Sequence, residues 1–448
     1  MTTLDLSTVS AKRLAQALAD REVGALEACD AAIDRIERGD RQINAVVVRD
    51  FERARDQARA ADAALARGER RPLLGVPITV KESFDVAGLR TTWGFDFARE
   101  LPPATEDAVA VARLKAAGAV VLGKTNCALA LADWQTANPV FGRTANPLDT
   151  SRTPGGSSGG SAAALAAGFV PLELGSDLVG SIRVPAHFCG LAGHKPTHGL
   201  CAKRGHNFPG APYGSHDDPI AVIGPMARDV GDLVLALDVL AGPEDAAAVA
   251  YRLALPPPRK VHMAGLRVLV LDHHPAAALS AEVRAAVHHA ADRLAAAGAR
   301  IDHHSPLLPD LAKLVDSYGR TVTAFVSRGQ PGPVISAHEW MELLDEQARV
   351  RRRCSELFGT VDVVLCPPFG TAAYPHQDDQ YVLRVDGKDT PYEAQGAWAS
   401  LASFAGLPAT VVPLARSEAG LPIGVQVVGP FLHDLTTLAV ADWLQTPR

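Results

Sequence analysis

A lysine and two serines stand out among the side chains able to do chemistry. Lys81 lies in GVPITVKESFDVAG, Ser157 in TPGGSSGGSAAA and Ser181 in LGSDLVGSIRVPAHFCG. A serine hydroxyl is a weak nucleophile unless its proton can leave as attack proceeds. A neutral lysine can take up such a proton, and burial favours the uncharged amine. Alone, each segment reads blandly: a Gly/Ser loop as a turn, a lysine as a surface charge, a serine as a helix cap. GGSSG also satisfies the GxSxG pattern of the nucleophile elbow. That elbow needs a strand directly before its serine, whereas NPLDTSRTP is turn-rich and carries two prolines. His206, Asp217 and Asp218 follow it without supplying the serine, acid, histidine order.

The other reactive residues read more plainly. Cys29, Cys127, Cys189, Cys201, Cys354 and Cys366 include no CxxC pair, and in a chain of 448 residues reduced thiols in the cytoplasm are expected. The pairs His273-His274, His288-His289 and His303-His304 do not make ready metal sites, because adjacent side chains diverge on a helix or strand. Hydrophobic residues reach 47%, enough for a large core, and a net charge of -6 gives no broad basic face for nucleic acid. Arg351, Arg352 and Arg353 read as solvated or ion-paired residues on a helix. MTTLDLSTVSAKRLAQAL lacks the pattern of a secretory signal, and no apolar stretch approaches the ~20 residues of a membrane span.

The elements that must position these residues alternate between helix and strand. SAKRLAQALADRE and ALEACDAAIDRIERG place apolar residues three and four apart and FERARDQARAADAALARG continues a helix-forming composition, predicting an N-terminal helical layer over about residues 1–70 with Ser10 as a cap. Leu73–Val80 turns β-rich, Val109–Ala117 reads as a helix, and Val120–Leu122 as a buried strand. This rhythm predicts an α/β sheet covered by helices. No GxGxxG follows the first strand. SAAALAAGF predicts a short helix and VPLELGSD a strand ending at the second Gly/Ser loop. Farther on, LRVLVL, VDVVLCP, ATVVPL and GVQVVG read as strands, with helices over Ser280–Ala297, Ser336–Phe358 and near Leu435–Leu444. In the first of these helices Val283, Val287, Ala290 and Leu294 share one face. PPPRKVHMAG is either a domain boundary or a surface crossover.

Taken in order, the Lys81, Ser157 and Ser181 segments closely resemble the amidase signature family. GPMARDVGDL at 224–233, GLPATVVPL and GLPIGVQVVGP extend the match over most of the chain, with the most specific block at about 74–200. The resemblance implies one domain over 1–448, a large mixed β-sheet covered on both faces by helices, and a Ser-cis-Ser-Lys mechanism. Carried onto this sequence, it makes Ser181 the nucleophile, Ser157 the bridging serine after a cis peptide to Gly156, and Lys81 the ultimate base. It assigns the oxyanion site to backbone N–H groups of Leu178, Val179, Gly180 and Ser181. Ser158, Asp177 and Arg183 become site-organising residues, with Asn126 and Arg228 as supports and Cys189 as a core thiol. One position departs from the pattern: the usual glycine pair before the nucleophile is Val179-Gly180 here. Valine keeps its N–H, but its branch restricts the backbone and narrows the space beside a substrate.

The implied activity is hydrolysis of a small or medium carboxylic amide to an acid plus ammonia or an amine, without metal, nucleotide or redox cofactor. The partner is then a small-molecule amide, with no direct nucleic-acid or membrane contact and a homodimer left open by the long helical stretch. Two alternatives stand beside it: the amidase subunit of a tRNA-dependent amidotransferase, and a catalytically silent scaffold that kept the fold. Trp93, Phe95, Trp134, Phe141, Tyr213, Trp340 and Trp398 are candidate pocket-wall residues, each individually better explained by core packing.

Overall fold

In the computed structural model the chain is described over residues 4–211, 218–327, 334–378 and 382–446. The N-terminal layer holds α1 (Ala11–Ala19), α2 (Ala25–Ile43) and α3 (Phe51–Ala66). Ser10 caps α1 by accepting the Arg13 N–H. A strand the helical reading missed, β1 (Val46–Arg49), separates α2 from α3. Asn44 ends α2 in the left-handed conformation, and the buried Asp40 carboxylate takes the N–H groups of Ala45 and Val46. Three valines are too short a run to announce a strand, but they suffice beside an existing sheet edge.

The chain continues through β2 (Pro77–Lys81), α4 (Val109–Ala116), β3 (Val120–Thr125), a hairpin of β4 (Ala137–Asn138) and β5 (Gly142–Arg143), α5 (Gly159–Ala166), β6 (Leu172–Asp177), α6 (Arg183–Cys189) and β7 (Ala192–Lys195). Next come β8 (Val222–Ala227), α7 (Val230–Leu240), α8 (Asp245–Ala248), β9 (Arg267–Val270), α9 (Ala281–Ala296), β10 (Arg300–Asp302), α10 (Leu311–Val326) and α11 (Ala337–Thr360). The last part comprises β11 (Val363–Cys366), a hairpin of β12 (Val382–Val385) and β13 (Lys388–Pro391), α12 (Ala397–Phe404), β14 (Ala409–Arg416), β15 (Pro422–Val428) and α13 (Asp434–Gln445).

Eleven strands form one mixed sheet in the order β1-β3-β2-β6-β8-β7-β14-β15-β11-β9-β10, flanked by helices. Its central strands β2, β6 and β15 are buried along their length, polar residues of β6 included. Strand β2 runs parallel to both β3 and β6. All three therefore release the chain at one edge, at Lys81, Thr125 and Asp177. This shared edge carries the site.

The face foreseen on α9 is buried throughout, and Ser280 caps that helix. Ser336 and Glu339 form a capping box at the start of α11. The Pro-rich stretch is a crossover: the Arg259 N–H donates to Thr436 Oγ1 and its guanidinium to Phe358 O, after which β9 rejoins the same sheet. Helix α10 has no counterpart in the sequence reading, since Gly319 and several β-branched residues weaken its helical signal. No described helix is long and apolar enough to cross a membrane. All six cysteines are free and buried.

Candidate active site

Lys81 ends β2 and is completely buried. Its Nζ donates to Ser157 Oγ at 2.7 Å and to Ser176 Oγ at 3.0 Å. Burial pushes the amine down to about 7, against the weaker opposing pull of Cys127, Asp177 and Glu82. A substantial neutral fraction therefore exists near neutral pH.

Ser157 follows a loop, with no strand before it, and the Gly156–Ser157 peptide is cis. The loop is packed too tightly for side chains. A Cβ on Gly156 would lie 2.3 Å from Asp133 O, and one on Gly160 2.4 Å from Asn126 N. The dense glycine run is thus a steric requirement of the backbone approach. Ser158 joins the two serine loops: its N–H donates to Ser181 O at 3.2 Å and its Oγ to Ser176 O at 3.2 Å. It has no hydrogen bond to Lys81 and organises the site through the backbone.

Ser181 sits in the turn between β6 and α6 and is 6% exposed. No described residue hydrogen-bonds its Oγ. Asp177 organises the turn, its carboxylate accepting the N–H groups of Gly180 at 2.9 Å and Ile182 at 3.0 Å. Arg183 adds a bidentate pair from Nε at 3.0 Å and Nη2 at 2.8 Å. Burial pushes Asp177 up, but the Arg183 charge and hydrogen bonds outweigh it and hold the carboxyl at about 2. Arg183 also reaches Gln426 Oε1 and Ser403 Oγ. Of the four N–H groups foreseen for an oxyanion, Gly180's is thus taken by Asp177. Gly180 has φ +88°, and a Cβ there would meet Val184 Cγ2 at 3.0 Å. The second glycine of the usual pair is required by the backbone. Val179 has no positive φ, and its Cγ1 packs 3.1 Å from where Gly396 would carry a Cβ.

The sequence reading missed Ser176, the second hydroxyl on Lys81. It is the parallel register of β2 on β6, Thr79 opposite Glu173 and Val80 opposite Leu174, that sets Lys81 beside the end of LGSD. Asn126 braces the neighbouring loop through Gly142 O and Thr144 Oγ1, and Arg228 ties Val9, Leu165 and Val170 carbonyls together away from the serines. Cys189 is a buried thiol facing Pro154 O. Trp134 does reach the site, donating from its indole to Val179 O at 2.8 Å. Trp93, Phe95 and Phe208 form a separate ring cluster with His206, which bonds Ser83. Trp398 packs on His274, while Phe141 donates its N–H to Asn138 Oδ1 and Trp340 lies in the first turn of α11. Asp218 pairs with Lys203. Tyr213 and Asp217 lie outside the described residues.

The protein-family model described as amidase matches residues 27–330 and 318–438. The chain is 35% identical over 497 residues to a glutamyl-tRNA(Gln) amidotransferase subunit of Roseiflexus castenholzii, covering 99% of this chain and 96% of that one. It is 37% identical over 455 residues to a 1-carboxybiuret hydrolase subunit of Pseudomonas sp. strain ADP, covering 96% of each. Among solved structures, a chain of an inhibitor-bound vestigial protein complex tied to the origins of an s-triazine catabolic enzyme superposes with TM-score 0.85 at 34% identity, covering 98% of both.

Proposed function

We propose that this chain, which belongs to the amidase signature family, hydrolyses a small or medium carboxylic amide through an acyl-Ser181 intermediate. The observation that carries this reading is the buried Lys81 amine on Ser157 Oγ, in a loop fastened to the Ser181 backbone through Ser158.

The Ser181 hydroxyl attacks the amide carbon while its proton passes to Ser157, whose own proton passes to neutral Lys81. For that handoff Ser181 Oγ turns toward Ser157, a tightening that commonly waits for substrate. The tetrahedral intermediate collapses as Lys81 returns the proton through Ser157 to the departing nitrogen. A water then attacks the acyl-serine by the same proton route and releases the carboxylate. Asp177 and Arg183 hold the turn that presents Ser181, and the uncommitted backbone N–H groups of that turn receive the oxyanion.

Incubation with a panel of aryl, aliphatic and amino-acid amides, with acid and amine products identified, tests the proposal. Turnover is expected in the wild type and absent in Ser181→Ala, and a fluorophosphonate probe labels only the former. Turnover that survives in Ser181→Ala overturns the assignment. The similarity to an amidotransferase component favours a second reading, in which released ammonia feeds a partner's active site. Ammonia release by the isolated chain over a broad panel supports the free hydrolase. Activity confined to glutamine and dependent on added partner proteins supports the other.

A further inference from the structure

Every carbonyl in the turn from Leu178 to Ser181 is held by the protein. Leu178 O accepts the Tyr318 hydroxyl at 2.7 Å, and Val179 O accepts the Trp134 indole N–H at 2.8 Å. Gly180 O accepts the Val184 N–H at 2.7 Å, and Ser181 O the Ser158 N–H at 3.2 Å. The peptides of this turn are trans, so each N–H points opposite the carbonyl of its own peptide. The Val179 N–H therefore faces away from Tyr318, and the Ser181 N–H away from Val184. Gly180 differs, since its N–H is directed onto Asp177. No described acceptor takes the Val179 or Ser181 N–H.

The two side-chain donors come from distant parts of the fold. Tyr318 lies on α10, 3% exposed, its ring against Phe404. Trp134 precedes the β4–β5 hairpin, boxed edge-on by Phe369 and Tyr392. Clamping the carbonyls on either side of Val179 fixes both of that residue's soft dihedrals from outside. A glycine-free position thereby acquires a set orientation without strain in its own backbone.

We infer that Tyr318 and Trp134 are positioning residues of the oxyanion cradle, holding the peptide planes on either side of Val179 so that the Val179 N–H is aimed at the reacting carbonyl oxygen. This rests on the Ser181 nucleophile proposed above. Neither side chain touches substrate in this role. The bland alternative is that a buried tyrosine and tryptophan merely satisfy their polar atoms. The two readings differ in what they do to the transition state.

The test compares an amide that the wild type hydrolyses with its thioamide, whose sulfur is a poorer hydrogen-bond acceptor. Tyr318→Phe removes only the hydroxyl. Its kcat on the amide is expected to fall about tenfold or more with KM held, since losing one oxyanion donor outright costs about 10²–10³. The amide-to-thioamide rate ratio is expected to shrink with it. Trp134→Phe is expected to give the same signature, which keeps the test intact if Tyr318→Phe folds poorly. A folded Tyr318→Phe or Trp134→Phe protein with an unchanged rate ratio overturns the inference, even if kcat drops. If the wild type neither turns over amides nor labels at Ser181, the nucleophile assignment falls instead and takes the inference with it. The two failures are thus read from different proteins.

Discussion

The pH dependence of turnover follows directly from the burial of Lys81. Removing the amine from water lowers it from the ordinary 10.5 to about 7. That difference corresponds to about 5 kcal/mol of preference for the neutral form. At pH 7 about half of Lys81 is then able to accept a proton, whereas an unperturbed lysine would be neutral in only about one molecule in 3,000. Burial alone thus enlarges the competent population about a thousandfold. The expected profile of kcat/KM climbs about tenfold per pH unit on the acid side, bends near 7 and stays level above it. Steady-state rates on one amide between about pH 5 and 9 measure it, with fluorophosphonate labelling of Ser181 as a second probe of the same free-enzyme ionisation. Lys81→Ala is expected to lose the limb together with most of the rate. A bend above about 9, a flat profile, or an unchanged limb in Lys81→Ala would refute the reasoning.

Three further outcomes are expected. Lys195, buried at the end of β7 and pushed down to about 7 by burial and the Arg183 charge, lowers stability at acid pH. Between about 7 and 10.5 the unfolded chain holds a proton that the folded chain lacks, so unfolding free energy rises with pH across that window and is flat below it. Lys195→Met should therefore raise the melting temperature at pH 6, by a few kcal/mol of stability, with the gain fading toward pH 10; a pH-independent change would contradict this. Asp177→Asn leaves the Arg183 guanidinium buried without its charge partner, and a loss of about 3–5 kcal/mol in denaturant unfolding is expected. Val179→Gly removes a side chain packed toward Gly396 and Trp134; kcat/KM should rise for amides bulky at the acyl carbon relative to small ones, and an unaltered ranking across the panel would show that Val179 does not limit substrate shape.

How much of this was legible in the sequence depended on how local each signal is. Caps and apolar faces are local, so the Ser10 cap and the Val283–Leu294 face could be read directly. The family motifs marked Lys81, Ser157, Asp177 and Ser181, all of which gather at the common edge of β2 and β6. Ser176 was not legible because its role depends on the register between two strands far apart in sequence. Tyr318 was hidden more deeply: its helix is weakly signalled, and its hydroxyl meets Leu178 across 140 residues of chain. Which N–H groups of the Ser181 turn remain free was not legible. Four N–H groups in a row gave no means of telling which one Asp177 would claim, since that depends on the turn folding back over its own carboxylate.

Lys81, proposed above as the base, lies beside Glu82 and Asp177 and would ordinarily be held charged, because an adjacent carboxylate favours the ammonium. Here both carboxylates are occupied. Glu82 Oε1 accepts the Thr92 N–H and hydroxyl, and its Oε2 accepts the Trp93 N–H. The buried Lys124 Nζ stands 3.8 Å away from Glu82 Oε1. Asp177 directs its lone pairs to Gly180, Ile182 and Arg183. Neither has a hydrogen bond to Lys81, whose Nζ bonds, among the described residues, to two hydroxyls that serve a neutral amine as well as a charged one. The acids therefore shape the loops around the lysine and act on it only through space, while desolvation decides its protonation. The same two carboxylates that would have disabled a base are turned outward, into the loops that carry Trp93 and Ser181.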